Sequence, residues 1–255
     1  MDRLAEQAEA AVSVLSDYDV AGRVTKILGL MVEIAGFGND LSIGSRVRLR
    51  PGGAGADIPC EVVGFRDDRA MLMPFGTLEG VGLGAQAFIQ RARPLVCPDD
   101  RWLGRVINGM GEPIDGKGML PRGGHPVPLR NKPPEPHSRQ RVGEKLDLGV
   151  RAVNCFLPIV RGQRMGIFSG SGVGKSVLLS KMARYTEADV SVIGLIGERG
   201  REVQEFLEDD LGPEGLKRSV VIVATGDESA LMRRQAAYLT LATAEYFRAQ
   251  GRQVL

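Results

Sequence analysis

The spacing of hydrophobic residues changes near residue 149, and this change divides the chain into two regions. Between residues 21 and 93, apolar and polar positions alternate, most strictly over residues 46–50, as in a half-buried β-strand. Beyond residue 149, continuous apolar runs at 190–196 and 220–224 are separated by segments with a helical period. The pattern predicts an all-β region followed by an α/β region.

The all-β region, residues 21–93, consists of short pieces separated by glycines. Leu30, Val32 and Ile34 alternate with their neighbours, and a glycine-rich stretch at residues 76–84 interrupts the pattern. Many short strands with glycine turns are typical of a small barrel or sandwich. We therefore predict a small all-β barrel domain over residues 21–93.

Residues 94–145 are rich in proline and glycine. Turn-forming residues occupy 113–116 and 121–124, and the prolines at 133–136 exclude a helix or a central strand there. This composition predicts a connector between two domains.

Residues 146–255 are predicted to form a second, α/β domain with a parallel sheet covered on both faces. A short strand at 164–168 leads into a glycine loop and a helix with Leu178, Met182 and Tyr185 on one face. Further helices are expected from residue 203 to the Gly212-Pro213 pair and over residues 228–250.

The N-terminal residues 1–20 carry an amphipathic pattern, with apolar side chains at helical spacing over residues 3–16. Two interpretations stay open for this segment. It is either a surface helix packed on its own domain or a helix that docks onto a partner protein.

Composition narrows the function classes further. The chain of 255 residues has 33 Lys and Arg against 31 Asp and Glu, a net charge of +2. Neither a basic patch nor interleaved aromatic residues indicate nucleic-acid binding. Three cysteines at unrelated spacings, with no visible signal peptide or apolar run of about 20 residues, favour a cytoplasmic protein.

The most informative segment, residues 169–176, lies between the predicted strand and the predicted helix. It nearly fits the phosphate-binding loop G-x-x-x-x-G-K-[ST], with serine at the first position. Alternating glycines let successive N–H groups converge on phosphate oxygens, and the helix N-terminus favours an anion. The candidate binding residues are Ser169, Gly170, Ser171, Gly172, Val173, Gly174, Lys175 and Ser176, with Lys175 on the β- and γ-phosphates and Ser176 on Mg²⁺.

A charged cluster at residues 197–202 directly follows the apolar run at 190–196. Ligands of open α/β sheets bind beyond the carboxyl ends of strands, where both this cluster and the loop are expected. Glu198 could orient the water that attacks the γ-phosphorus, and Arg199 could offset charge on the transferring group.

These segments resemble the catalytic core of rotary ATPases, and most closely that of the flagellar and type III secretion export ATPases. The segments that carry the resemblance are 164–176, 194–202, 146–154, 183–186, 103–106 and 111–118. The resemblance extends over nearly the whole chain from about residue 22. It implies a RecA-like P-loop domain, here incomplete, behind an N-terminal β-barrel.

The resemblance also implies function and partners. Lys175 and the loop amides would hold ATP, Ser176 would ligate Mg²⁺, Glu198 would position the water, and Arg199 would lie near the γ-phosphate. It implies a homohexamer at the inner-membrane base of the flagellum and a stator-like regulatory protein bound to residues 1–18. Export substrates, their chaperones and the export gate would be further partners, and no nucleic acid is expected.

The end of the chain departs from this family. Residues 252–255 resemble the entry into the strand that carries the Mg²⁺-linked aspartate, and the sequence stops before that residue. We therefore expect an N-terminal fragment of a longer ATPase that is inactive alone. Three alternatives stay open: a virulence-type secretion ATPase, a nucleic-acid-translocating hexameric ATPase and a non-catalytic nucleotide-binding scaffold.

Overall fold

The computed structural model describes residues 21–53, 55–90, 95–139, 141–170 and 172–255. These residues divide into two compact units, one up to residue 93 and the other from residue 94. The predicted N-terminal helix lies outside the described residues. No described helix is both long enough and apolar enough to span a membrane.

The first unit is a closed barrel of six strands in the order β1-β2-β5-β4-β3-β6, and every neighbouring pair is antiparallel. Closure confirms the predicted all-β barrel, and it leaves no unpaired edge strand. The strands are β1 (Ala21–Leu28), β2 (Met31–Ala35), β3 (Arg46–Arg50), β4 (Ile58–Arg66), β5 (Arg69–Pro74) and β6 (Gln86–Gln90).

The barrel interior follows the alternating pattern of the sequence. Val47 and Leu49 of β3 are fully buried, as are Val32 and Ile34 of β2. Leu30 departs from the pattern and is 69% exposed, because it lies in the turn between β1 and β2. The barrel core is therefore built from one face of each strand.

The second unit contains a three-stranded parallel sheet in the order β12-β13-β8. Its strands are β8 (Arg105–Asn108), β12 (Ser191–Ile196) and β13 (Ser219–Ala224). The segment predicted as a connector thus supplies β8, an edge strand of this sheet. Two small antiparallel pairs complete the strands: β7 (Leu95–Val96) with β9 (Val127–Pro128), and β10 (Lys145–Leu146) with β11 (Ile159–Val160).

Within the described ranges, five α-helices accompany this sheet: α1 (Arg151–Phe156), α2 (Lys175–Tyr185), α3 (Gly200–Glu205), α4 (Gly212–Lys217) and α5 (Ala230–Ala249). A π-helical turn, Phe206–Leu211, joins α3 to α4. The predicted stop at the Gly212-Pro213 pair is confirmed, because the π-helical turn ends at Leu211 and its C-cap Gly212 has φ of +64°. A separate helix, α4, starts at this pair. Proline is tolerated in the first turn of a helix, where its missing N–H has no intrahelical acceptor.

Both faces of the sheet are covered, as predicted. Along β13, Val220 and Ile222 pack in one hydrophobic cluster with Leu239 of α5. Val221 and Val223 point the other way, into a cluster with the α2–α4 region. Every residue of β13 is consequently buried. A strand buried on both faces needs a continuous apolar run, which is the pattern of this segment.

Candidate functional site

The phosphate-binding loop leads directly into α2. Gly174 is the N-cap of this helix with φ of +91°, and Gly172 has φ of +74°. Both values lie in the left-handed region that a side chain disfavours, so the loop needs glycine at these two positions. Ser169 and Gly170 are exposed, and Ser171 lies outside the described residues.

The predicted strand at residues 164–168 is not formed. Phe168 is 96% exposed, and no described strand pairs with this segment. A strand needs a hydrogen-bonded neighbour. The outer edge of β12 is instead bonded near its start to the last residues of the chain, where the Val192 N–H donates to the Leu255 carbonyl at 2.9 Å.

Lys175 and Ser176 occupy the first turn of α2 and are half-buried. Neither side chain forms a hydrogen bond or ion pair with another described residue. The Lys175 ammonium and the Ser176 hydroxyl are therefore both available to a ligand. They lie at a helix N-terminus, where backbone N–H groups and the helix dipole attract an anion.

The far end of α2 is attached to the amino ends of β12 and β13. The Ser191 hydroxyl donates to the Ala183 carbonyl at 3.3 Å, and the Arg218 guanidinium donates to the same carbonyl at 3.3 Å. A helix whose C-terminal end lies at the amino edge of a parallel sheet has its N-terminal end toward the carboxyl edge. Its 11 residues span about 16 Å. Lys175, at the N-terminal end of α2, therefore lies toward the edge where Glu198 is found.

Glu198 follows the carboxyl end of β12 and is half-buried. Two backbone bonds hold its loop to the end of β13 and to the loop that follows: the Gly197 N–H donates to the Ala224 carbonyl at 2.7 Å, and the Gly226 N–H donates to the Glu198 carbonyl at 3.0 Å. The Glu198 carboxylate forms no hydrogen bond or ion pair in the described part of the chain. It is therefore free to orient a water, though no direct bond joins it to Lys175.

Arg199 has a different environment from its neighbour. Its side chain is 76% exposed and lies 3.5 Å from the Glu202 carboxylate, one turn further along α3. An exposed pair of this kind contributes little stability. Arg199 could therefore leave Glu202 for a phosphate at small cost.

Sequence reasoning missed two acidic residues of this edge, Asp227 and Glu228. A hydrogen bond with Thr225 lowers the pKa of the Asp227 carboxyl. Burial, and then the Asp227 charge, raise the pKa of Glu228. Their position directly after the apolar run at 220–224 could have indicated them, because the carboxyl ends of neighbouring parallel strands meet at one edge.

A glycine loop at the start of a helix beside a parallel sheet, with Lys and Ser side chains that have no partner among the described residues, is typical of nucleotide-binding domains of the P-loop class. Residues 149–255 match the nucleotide-binding domain of the ATP synthase alpha/beta family. This match confirms the predicted resemblance to the rotary ATPases.

The chain is similar to flagellum-specific ATP synthases and to a type 3 secretion system ATPase. The chain is 55% identical to the flagellum-specific ATP synthase of Caulobacter vibrioides over 96% of its own length and 55% of the relative. It is 44% identical to that of Bacillus subtilis over 96% of its length and 55% of the relative. It is also 45% identical to the type 3 secretion system ATPase of Xanthomonas euvesicatoria over 92% of its length and 52% of the relative.

A solved structure supports the fold. The assembled ATPase EscN of enteropathogenic E. coli, in complex with its central stalk EscO, matches with a TM-score of 0.82 and 36% identity. The match covers 91% of this chain and 56% of that chain. The present chain therefore spans about half the length of the relatives it matches.

Proposed function

We propose that this chain is the barrel and phosphate-binding part of an ATPase of the flagellar type III protein export apparatus, which hydrolyses Mg-ATP to support protein delivery. One observation carries the proposal. The loop before α2 has left-handed glycines at 172 and 174, and Lys175 and Ser176 have no side-chain partner in the described part of the chain. The 55% identity to a flagellum-specific ATP synthase supports this particular export system.

In the proposed site, the backbone N–H groups of residues 169–176 and the N-terminus of α2 bind the phosphates. Lys175 neutralises the β- and γ-phosphates. The half-buried Ser176 hydroxyl, at the helix start beside them, provides the hard oxygen ligand that Mg²⁺ prefers. Mg²⁺ bound there would offset the negative charge of the phosphate oxygens.

Two residues are proposed to act on the reaction itself. Glu198 orients the water for attack on the γ-phosphorus, since this residue is half-buried and its carboxylate has no partner among the described residues. Arg199 leaves Glu202 and approaches the γ-phosphate, where its charge stabilises the transferring group. Both roles are proposals for the site with ATP bound.

The proposed assembly is a homohexamer in the cytoplasm, peripheral to the inner-membrane base of the flagellum. The assembled EscN and its stalk EscO support an oligomer with a stalk partner. We further propose that residues 1–18 bind a stator-like regulatory protein. Export substrates, their chaperones and the export gate are the remaining proposed partners.

Deleting the gene that encodes this chain tests the proposed export system. We expect loss of motility with normal secretion of host effectors. Normal motility with loss of host-effector secretion would favour the virulence-type alternative. The 45% identity to a type 3 secretion system ATPase supports testing that alternative. No change in either phenotype would contradict the export function.

Complementation with variant genes tests the site. Lys175→Ala should fail because the phosphates lose their cation, and Glu198→Gln should fail because the water loses its carboxylate. Glu214→Gln is the matched control, because Glu214 is exposed on α4 and its one partner in the described part of the chain is Lys217. Restored motility with either site variant would contradict the assignment.

A further inference from the structure

The C-terminal end of α2, opposite the phosphate loop, is held by a hydrogen-bonded cluster. Three residues form this cluster, which we call the clamp: Asp147, Asn154 and Thr186. Asp147 precedes α1, Asn154 lies on α1, and Thr186 is the C-cap of α2. The clamp thus joins two segments that are 39 positions apart in the chain, Asp147 and Thr186.

Asp147 and Asn154 close the first half of the clamp. One Asp147 carboxylate oxygen accepts hydrogen bonds from the Gly149 N–H and the Asn154 amide, both at 2.6 Å. The Asn154 amide oxygen accepts in turn from the Leu148 N–H at 3.2 Å. These bonds fix the chain from Asp147 to Asn154 in one conformation, so the Asp147 carbonyl points in a defined direction.

Thr186 forms the second half of the clamp by bonding to the Asp147 carbonyl. Its hydroxyl donates to the Asp147 carbonyl at 3.1 Å and accepts from the Ala188 N–H at 3.2 Å. The Glu187 N–H donates to the same Asp147 carbonyl at 2.9 Å. Thr186 is only 3% exposed. Its hydroxyl therefore joins two backbone groups with little competition from water.

Apolar contacts support the same junction. Leu148 is 1% exposed and packs with Met182 of α2. A Cβ on Gly149 would lie 2.1 Å from the Tyr185 Cβ, so the two backbones approach closely. The polar bonds and the packing both restrain the last turn of α2.

We propose that Asp147, Asn154 and Thr186 are positioning residues that set the place of Lys175 and Ser176 against a bound nucleotide. This inference rests on the proposed phosphate-binding function of the loop. The segment before the loop belongs to no described strand, so no sheet ladder holds α2 from that side. An α-helix transmits a displacement of one end to the other, because its backbone bonds make it stiff.

The test measures the affinity of the 255-residue chain for Mg-ATP with four variants. Thr186→Val keeps the shape and removes the hydroxyl, and Thr186→Ser restores it. Asn154→Ala opens the other half of the clamp at the surface of α1. Thr243→Val is the matched control, because this buried threonine lies on α5 and its hydroxyl has no partner in the described part.

We expect Thr186→Val and Asn154→Ala to weaken Mg-ATP binding about three- to tenfold while circular dichroism shows a folded protein. Thr186→Ser and Thr243→Val should bind within about twofold of the parent. If Thr186→Val does not fold, Asn154→Ala decides the question. Folded clamp variants that bind as tightly as the parent would overturn the inference.

The parent chain and Lys175→Ala separate this inference from the proposed function. A parent that does not bind Mg-ATP, or a Lys175→Ala variant that binds equally well, would refute the proposed site itself. Parent binding that depends on Lys175 but not on the clamp would refute the positioning role alone.

Discussion

Removing the Asp115 carboxylate should destabilise the second unit more than breaking an exposed ion pair would. Asp115 forms a bidentate pair with Arg105 at 2.7 and 3.0 Å, and their side chains are 6% and 11% exposed. The Asp115 carboxylate also accepts from the Val106 N–H at 3.1 Å and the Lys117 N–H at 3.0 Å. This one carboxylate thus ties the turn at 111–118 to strand β8.

The magnitude follows from the burial of the pair. Truncating one partner of a buried pair leaves an uncompensated charge, which costs about 3–5 kcal/mol. Asp115→Ala leaves the Arg105 guanidinium with the Gly118 carbonyl as its remaining acceptor. We therefore expect the free energy of unfolding to fall by about 3 kcal/mol or more. Glu214→Ala breaks the exposed pair of Glu214 with Lys217. This variant should lower the free energy of unfolding by at most about 1 kcal/mol.

Urea unfolding followed by circular dichroism measures both changes. The pH dependence gives a second readout. Burial favours the protonated form of Asp115, but hydrogen bonds from Arg105 and then from the backbone outweigh it and hold its pKa well below the usual range. The advantage of the parent over Asp115→Asn is therefore full above a pH of about 4 and shrinks in more acidic solution. Equal losses in Asp115→Ala and Glu214→Ala would refute this reasoning.

Three further predictions, two on stability and one on cysteine labelling, test other parts of the structure. Thr243→Val should raise the free energy of unfolding by about 1 kcal/mol, because a buried hydroxyl without a described partner is replaced by a methyl group; an unfolding curve at unchanged stability would contradict this. Asp68→Gly should raise the free energy of unfolding by about 0.5–1 kcal/mol in urea unfolding, because Asp68 has φ of +60° in the β4–β5 turn, a left-handed conformation that favours glycine. A loss of stability would argue against strain at Asp68. Burial raises the pKa of the Cys60 thiol to about 12, so iodoacetamide at pH 8 should label exposed Cys155 first. Labelling of Cys60 at the same rate would show that the barrel opens.

The barrel and the loop were predictable because their determinants are local. Alternation places Val47 and Leu49 inside the barrel whatever follows along the chain. The left-handed conformation of Gly172 and Gly174 is likewise a local property that the sequence displays directly.

The elements that local patterning did not reveal depend on distant partners. Strand β8 is a strand because it pairs with β13, whose residues come more than 100 positions later. Residues 164–168 have the composition of a strand, but no described strand pairs with them. Pairing between segments far apart is not visible in local periodicity. The acidic pair Asp227 and Glu228 was missed because its placement depends on the same sheet.

Titration calorimetry of Mg-ATP into this 255-residue chain, with Lys175→Ala as the comparison, tests the central claim most directly. We expect saturable binding by the parent and a loss of affinity of about 10- to 100-fold in the variant, because a charge-assisted bond to phosphate contributes about 1.5–3 kcal/mol. A parent that does not bind, or equal binding by both proteins, would contradict the claim that the loop before α2 holds nucleotide phosphates.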